Sequence, residues 1–198
     1  MVMQTPYPAD YHTTVQQVVR ENETGRMGSF ETDLTIPDLK NQPLKMSSVV
    51  LASQIQPATK KKNNNNNDPL IRDGSEIIPS VTHVFSNGQH LYFYYEVYDP
   101  AHESDKSQGG GIHLLTNVAF FQGKVKVYET PLVESKAINV QDRKAAAFQL
   151  DVPLTQLKPG FYTCQVNVVD DAAGKFLFPR LALLVRKIQR LHLRPRLL

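Results

Sequence analysis

Apolar and polar residues alternate with a period of two along much of this chain. The pattern is clearest at residues 29–36, 82–98, 114–121, 145–152 and 161–169. Successive side chains of a strand point to opposite faces, so each stretch predicts a half-buried β-strand. Turn residues separate these stretches, and no convincing helix lies between them. We expect about eight or nine strands in two packed antiparallel sheets, an all-β sandwich.

Three pairs of strands have the sequence features of hairpins. In residues 82–98, Asn87-Gly88 is expected to form a type I′ turn, because both residue types tolerate positive φ. The two residues are therefore predicted to be structural, with Phe85 paired to His90. The other two predicted hairpins join residues 114–121 to 124–128 across Gln122-Gly123, and residues 161–169 to 176–185 across residues 170–175.

The most specific signal is the position of one tyrosine. Pro159-Gly160 forms a turn, and Tyr162 lies two residues before Cys164 at the start of the next strand. This spacing is typical of the tyrosine corner of an immunoglobulin-type F strand. Alternation with Val166 directs Cys164 into the core as an inert thiol. The sequence therefore predicts an immunoglobulin-like sandwich in which Tyr162 and Cys164 are structural.

The chain divides by composition into three regions. Residues 1–27 are interpreted as a poorly ordered extension, residues 28–186 as the sandwich, and residues 187–198 as a basic tail. Three lysines and five asparagines occupy residues 60–67, with no apolar side chain to bury, so residues 55–76 are predicted to be a mobile loop. Residues 13–20 fit a helix or a strand about equally, because their valines are β-branched.

Overall charge is distributed unevenly along the chain. Five of the 22 basic residues lie within residues 186–196, and the other 17 are set against 19 acidic residues. The body is close to neutral, which argues against a nucleic-acid interface built into the fold. No apolar run is long enough to span a membrane. With Cys164 as the only cysteine, no internal disulfide can form.

Motifs that carry catalytic or cofactor chemistry do not occur. There is no nucleophile elbow, zinc-protease motif, phosphate-binding glycine loop or dinucleotide fingerprint, so neither catalysis nor a cofactor is expected. His83 and His90 are the best candidates for metal ligands, as diagonal neighbours on one predicted hairpin. A closed metal site needs more ligands, and no third is evident, so no metal is expected.

A cluster of tyrosines offers the main candidate binding surface. Tyr92, Tyr94 and Tyr98 fall on the strand face opposite Leu91 and Phe93. If exposed, the three rings would form a platform for a peptide or a glycan. If covered, they are a second packed face, which the general enrichment of aromatic residues in strands favours.

Several separate strings resemble the C-terminal region of the bacterial VWFA-related protein family. They are residues 28–39, 45–51, 78–85, 95–100, 128–132, 157–162 and 178–185. In that family a von Willebrand factor type A domain normally precedes this region. The resemblance implies an exported, extracytoplasmic or secreted protein. No D-x-S-x-S metal-adhesion motif occurs here, so metal-dependent binding is not implied, and the basic tail departs from the family's usual ending.

These observations lead to two main functional hypotheses. The first is a non-catalytic sandwich module that packs against or presents a neighbouring adhesion domain or protein partner. The second is a direct carbohydrate- or peptide-binding module that uses Tyr92, Tyr94 and Tyr98. A hydrolase fragment completed by residues outside this chain is a more remote third hypothesis.

Overall fold

A computed structural model describes residues 11–36, 42, 44–58, 68–103 and 111–188. The chain forms two compact units, Met1–Pro43 and Leu44–Leu198. In the first unit, β1 (Tyr11–Arg20) pairs antiparallel with β2 (Met27–Ile36) over ten residue pairs. The strand interpretation of residues 13–20 is therefore confirmed over the helical one.

The second unit is an all-β sandwich, as predicted. Its described strands are β3 (Lys45–Met46), β4 (Val50–Pro57), β5 (Ile71–Arg72), β6 (Ser75–Pro79), β7 (Val84–Ser86), β8 (His90–Tyr98), β9 (Leu114–Gln122), β10 (Val125–Glu129), β11 (Val133–Ser135), β12 (Ala145–Pro153), β13 (Gly160–Asp170), β14 (Lys175–Leu177) and β15 (Arg180–Arg186). A single 3-10 turn, Leu154–Gln156, follows β12. Five of these strands have only two or three residues, too few to leave a periodic pattern, and the predicted number was therefore too low.

Two sheets face each other across the core. The seven-stranded sheet has the order β10-β9-β13-β15-β7, with β11 also on β9 and β14 also on β13. The six-stranded sheet has the order β12-β8-β4-β6-β5, with β3 also on β8. The pairs are antiparallel except β7 with β15, which run parallel. Strands β8 and β12 lie opposite β9, β13 and β15, a distribution consistent with strands B and E against C, F and G of an immunoglobulin-type sandwich.

The core follows the period-two pattern of the two central strands. Strand β8 contributes Leu91, Phe93, Tyr95 and Val97, none measurably exposed, while β13 contributes its even-numbered residues from Tyr162 to Val168. The Tyr162 hydroxyl donates to the Lys158 carbonyl oxygen at 2.6 Å, which is the hydrogen bond of a tyrosine corner. Cys164 is fully buried, as its alternation predicts.

The predicted hairpin at residues 82–98 is wrong. Strand β7 pairs with β15, whereas β8 pairs with β3, β4 and β12, so the chain crosses from one sheet to the other between them. Phe85 is 1% exposed in the same core as Leu91, whereas the predicted register put these two side chains on opposite faces. Burying both rules out the two-residue hairpin.

Asn87 and Gly88 keep a structural role of a different kind. Neither has positive φ, so the type I′ turn is absent here. The Asn87 amide donates to the Arg186 carbonyl oxygen at 2.8 Å, and the Asn87 Oδ1 accepts from the Ile188 amide at 3.1 Å. The pair therefore fastens the crossing to the end of β15. The positive-φ turn belongs instead to Asp73-Gly74, with φ of 49° and 76°, between β5 and β6.

The other two predicted hairpins are confirmed, whereas two of the predicted boundaries change. Strands β9 with β10, and β13 with β14 and β15, confirm the second and third hairpins. Residues 55–57, 71–72 and 75–76 of the predicted loop at residues 55–76 instead belong to strands β4, β5 and β6. The sandwich was predicted to begin at residue 28, but β2 pairs with β1 and belongs to the first unit. Residues 1–10, 59–67 and 189–198 of the predicted extension, loop and tail lie outside the described residues.

Candidate functional site

The outward side of the seven-stranded sheet carries exposed apolar side chains, and is called the open face below. The even-numbered residues of β13 are buried, so its odd-numbered residues point outward. Phe161 is 78% exposed near one end of this strand. At the other end Phe176 pairs across from the outward Val169, and its ring stacks on that of Phe178 at 5.2 Å between centroids. Covering these rings with a partner would remove them from water, which is favourable.

A chain of polar side chains crosses the middle of the open face. Arg180 Nε donates to Gln165 Oε1 at 2.7 Å, and Gln165 Nε2 donates to Asn167 Oδ1 at 2.7 Å. Asn167 Nδ2 then donates to Asn117 Oδ1 at 2.7 Å, and Asn117 Nδ2 to Glu129 Oε1 at 2.9 Å. Each side chain donates a hydrogen bond to the next one, so this polar strip is held in one arrangement without a partner.

The outward side of the six-stranded sheet is covered around the middle of β8, and is called the covered face below. Tyr94 is 4% exposed and packs in a second, smaller cluster with Ala52 and Ile77. Beside it, Glu96 is 1% exposed although it carries a carboxylate. Arg72 Nη2, from the β5 edge, donates to the carbonyl oxygen of Asn139, in the segment before β12, at 3.2 Å. Segments on either side of the sheet therefore meet over this face.

Glu96 is the most deeply buried acid of the described residues. Arg143 binds it twice, with Nη2 to Oε1 at 2.8 Å and Nε to Oε2 at 3.0 Å. The Tyr94 hydroxyl also donates to Oε1 at 2.6 Å. Burial by itself would raise the pKa of Glu96, but hydrogen bonds from Arg143 and Tyr94 outweigh it and lower that pKa below the ordinary value. The group is a charged structural clamp between β8 and the segment that precedes β12.

The three tyrosines of the predicted platform do not share one environment. Tyr94 is buried and bound to Glu96, while Tyr92 is half-buried and stacks on His90 at 6.2 Å between centroids. Tyr98 is half-buried, and burial followed by the Glu96 carboxylate raises its pKa to about 12. Of the three, Tyr94 alone lines a cleft on this face. Their role as ligand-binding residues stays a prediction.

Two adjoining clefts open on the covered face. The first has a volume of about 300 Å³ and the second about 540 Å³. Arg72, Asp73 and Asn139 line both, which makes the clefts continuous. Tyr94 lines the first cleft and Arg143 the second. Both volumes fall within or at the edge of the range of small-molecule sites.

Sequence reasoning missed a cluster around His113. Its Nδ1 lies 3.0 Å from Asp171 Oδ2, and its Nε2 lies 2.7 Å from Glu134 Oε1, with Glu103 at 3.9 Å. Both ring nitrogens face carboxylate oxygens. The cluster ties β9, β11 and the turn after β13 together. No sequence signal links these residues, because the partners are separated by 10 to 58 positions that no short motif spans.

The predicted metal pair and the cysteine are also placed. His83 Nδ1 lies 3.2 Å from the Ala182 carbonyl oxygen, whereas His90 Nδ1 lies 2.6 Å from Asp151 Oδ1. The two histidines thus contact different sheets and are not diagonal neighbours on one hairpin. Within the described ranges, no group of three or more His, Cys, Asp or Glu is arranged to hold a metal ion. Burial raises the pKa of the Cys164 thiol to about 12.

Comparisons with known proteins give little further information. No family model matches this chain, and no curated protein matches it. Solved structures that resemble it include a family 123 glycoside hydrolase from Clostridium perfringens, studied for glycolipid glycan hydrolysis, at 9% identity and a TM-score of 0.33. That match covers 71% of this chain and 28% of the enzyme, and a similarity this weak carries no argument about function. In the described part of the chain, no helix is long and apolar enough to cross a membrane.

Proposed function

We propose that this chain is a non-catalytic β-sandwich module that packs against a neighbouring domain or protein through the open face. The exposure of Phe161, 78%, is the observation that carries the proposal. Exposure of an outward aromatic ring to water is unfavourable, whereas burial of the same ring against a partner is favourable. The resemblance to the C-terminal region of exported VWFA-related proteins supports a neighbouring adhesion domain as that partner.

The arrangement of the open face supports this proposal further. Apolar rings at both ends, Phe161 at one and the stacked Phe176 and Phe178 at the other, flank the fixed polar strip. Apolar contacts supply affinity when they are buried, whereas a pre-ordered row of amides and charges specifies how the partner aligns. A surface of this type suits a protein partner, since its exposed rings and ordered polar side chains extend along the length of β13.

Site-specific photo-crosslinking tests the proposal in cells that produce the full protein. A photoreactive phenylalanine at position 161 is expected to crosslink to one defined protein or to another domain of the same polypeptide. The control places it at position 81, where Val81 is 95% exposed in a loop. No crosslink from position 161, or the same products from both positions, would contradict the proposal.

A double variant, F161S with F178S, separates binding from folding. The crosslinked product, probed from position 176, is expected to disappear, while the free energy of unfolding changes by no more than about 0.5 kcal/mol, because both side chains are on the surface. A large loss of stability would instead mean that these rings are part of the core.

A further inference from the structure

The first cleft on the covered face has the features of a small-molecule site that is independent of the open face. Its lining includes the apolar side chains of Ile55 and Ala147 and the polar side chains of Asp73, Ser75 and Gln149. An apolar lining with a few polar groups is the usual composition of a small-molecule pocket.

Arg72 provides the strongest indication of what the cleft binds. One terminal nitrogen, Nη2, donates to the Asn139 carbonyl oxygen at 3.2 Å. The other, Nη1, is buried and has no hydrogen-bond partner among the described residues. Buried polar groups are nearly always satisfied, and an unsatisfied charged donor is especially unfavourable. A ligand oxygen at this nitrogen would satisfy it.

The other polar groups beside the cleft are engaged mainly with one another, and the Arg72 side chain also interacts with the Tyr94 hydroxyl. Arg143 is held by Glu96 and by Asp142, and the Tyr94 hydroxyl donates to Glu96. Burial raises the pKa of Tyr94, and Glu96 raises it further against the opposing effect of the nearby Arg72 guanidinium. The phenol therefore stays neutral, and Arg72 remains the cation available to an incoming anion.

We propose that this cleft binds a small hydroxylated carboxylate, such as a sugar acid, with its carboxylate on Arg72. The planar guanidinium matches a carboxylate in geometry. A singly charged group is favoured over phosphate, because Asp73 in the lining and Glu96 behind the cleft would repel a second negative charge. The ligand hydroxyls then meet Ser75 and Gln149, and a longer ligand extends into the second cleft.

Amide chemical shifts of the isotope-labelled protein provide the test. Galacturonate and gluconate are the carboxylate probes, and galactose and inorganic phosphate are the comparisons. At least one carboxylate is expected to shift the amides around Arg72, Asn139 and Ala147 in a saturable manner, with affinity at least tenfold above that for galactose and for phosphate. Absence of any saturable shift from either carboxylate would overturn the proposal, as would equal binding of galactose or tighter binding of phosphate.

Three variants connect the binding to Arg72 itself. R72Q is expected to weaken carboxylate binding at least tenfold, and R72K to weaken it less, since lysine keeps the charge but not the planar pair of donors. The control R186Q changes an exposed arginine that lines neither cleft, and this variant is expected to bind as the unmodified protein does. If R72Q binds normally, the proposal fails. If R72Q unfolds, R72K and the location of the shifts in the unmodified protein decide.

Discussion

The two outward faces of the sandwich are both built from period-two strands, but central residues are buried on one face and exposed on the other. On the covered face, Tyr94 and Glu96 are 4% and 1% exposed beneath segments that meet over the sheet. On the open face, Phe161 and Phe176 remain 78% and 59% exposed. The comparison shows that alternation distinguishes inward from outward side chains, whereas only the packing of other segments decides which outward side is covered.

Charge follows the same division. The covered face contains a buried carboxylate with a bidentate arginine, whereas the open face carries a half-buried strip of amides that ends at the exposed Arg180 and Glu129. A buried charge lowers stability unless it is paired. A hydrogen bond between groups that water can reach is replaced by hydrogen bonds to water with little loss of stability. The first arrangement is thus suited to holding a fold together, and the second to meeting a partner.

The largest expected difference between the faces comes from removing one arginine on each. R143A leaves the Glu96 carboxylate buried without its cation, so it is expected to lower the free energy of unfolding by about 3 kcal/mol. R180A breaks one exposed hydrogen bond and is expected to cost about 0.5 kcal/mol. Urea denaturation measures both. Similar losses for the two variants would contradict the distinction between the faces.

Acid should separate the two faces in a second way. Hydrogen bonds hold the pKa of Glu96 below its ordinary value of 4.5 against the effect of burial, so its contribution to stability is present above pH 4.5 and is lost as pH falls below it. The hydrogen bonds of Lys126 and Asn117 also lower the pKa of Glu129, but that group is exposed.

Denaturation between pH 5 and 3, in low salt and in about 0.5 M salt, checks this expectation, because salt screens exposed charges much more than buried ones. E96Q is expected to flatten the pH dependence at both salt concentrations. E129Q should flatten it only in low salt and by less. If the E96Q effect vanished in high salt, Glu96 would behave as a surface group.

The smallest expected effect concerns the turn that carries Arg72 over the covered face. Gly74 has a φ of 76°, so G74A is expected to cost about 1 kcal/mol through left-handed strain. Gly88 lies outside that region, and an added Cβ would meet only the end of the half-exposed Ile188 side chain. G88A should therefore cost less than half as much in urea denaturation. A larger loss of stability for G88A than for G74A would instead support the type I′ turn predicted at Asn87-Gly88.

That turn shows where sequence reasoning reached its limit. Asn87-Gly88 and Asp73-Gly74 both have the residue types of a type I′ turn, but of the two pairs only Asp73-Gly74 has positive φ at both positions. Phe85 and Leu91 both had to reach one core, and a tight hairpin would have placed them on opposite faces. Burial of a large aromatic side chain outweighs the preference of two turn residues.

The candidate sites were less predictable than the fold. Cys164 and Tyr162 are buried on the side that alternation predicts, because that side depends only on a short spacing in the sequence. The cleft at Arg72 was not, because it joins β5, β8 and the segment near Asn139, and its edge lay in the predicted loop at residues 55–76. The contacts of His113 were missed for the same reason, as its partners come from distant parts of the chain.

The sequence by itself determined most of the longer strands, the inward side of each central strand and the tyrosine corner, because these depend on neighbours within a few residues. The tertiary structure decided which strands pair, which outward side is covered and where Arg72 points. Those outcomes depend on the competition of many apolar side chains for one core, and no short segment contains that information.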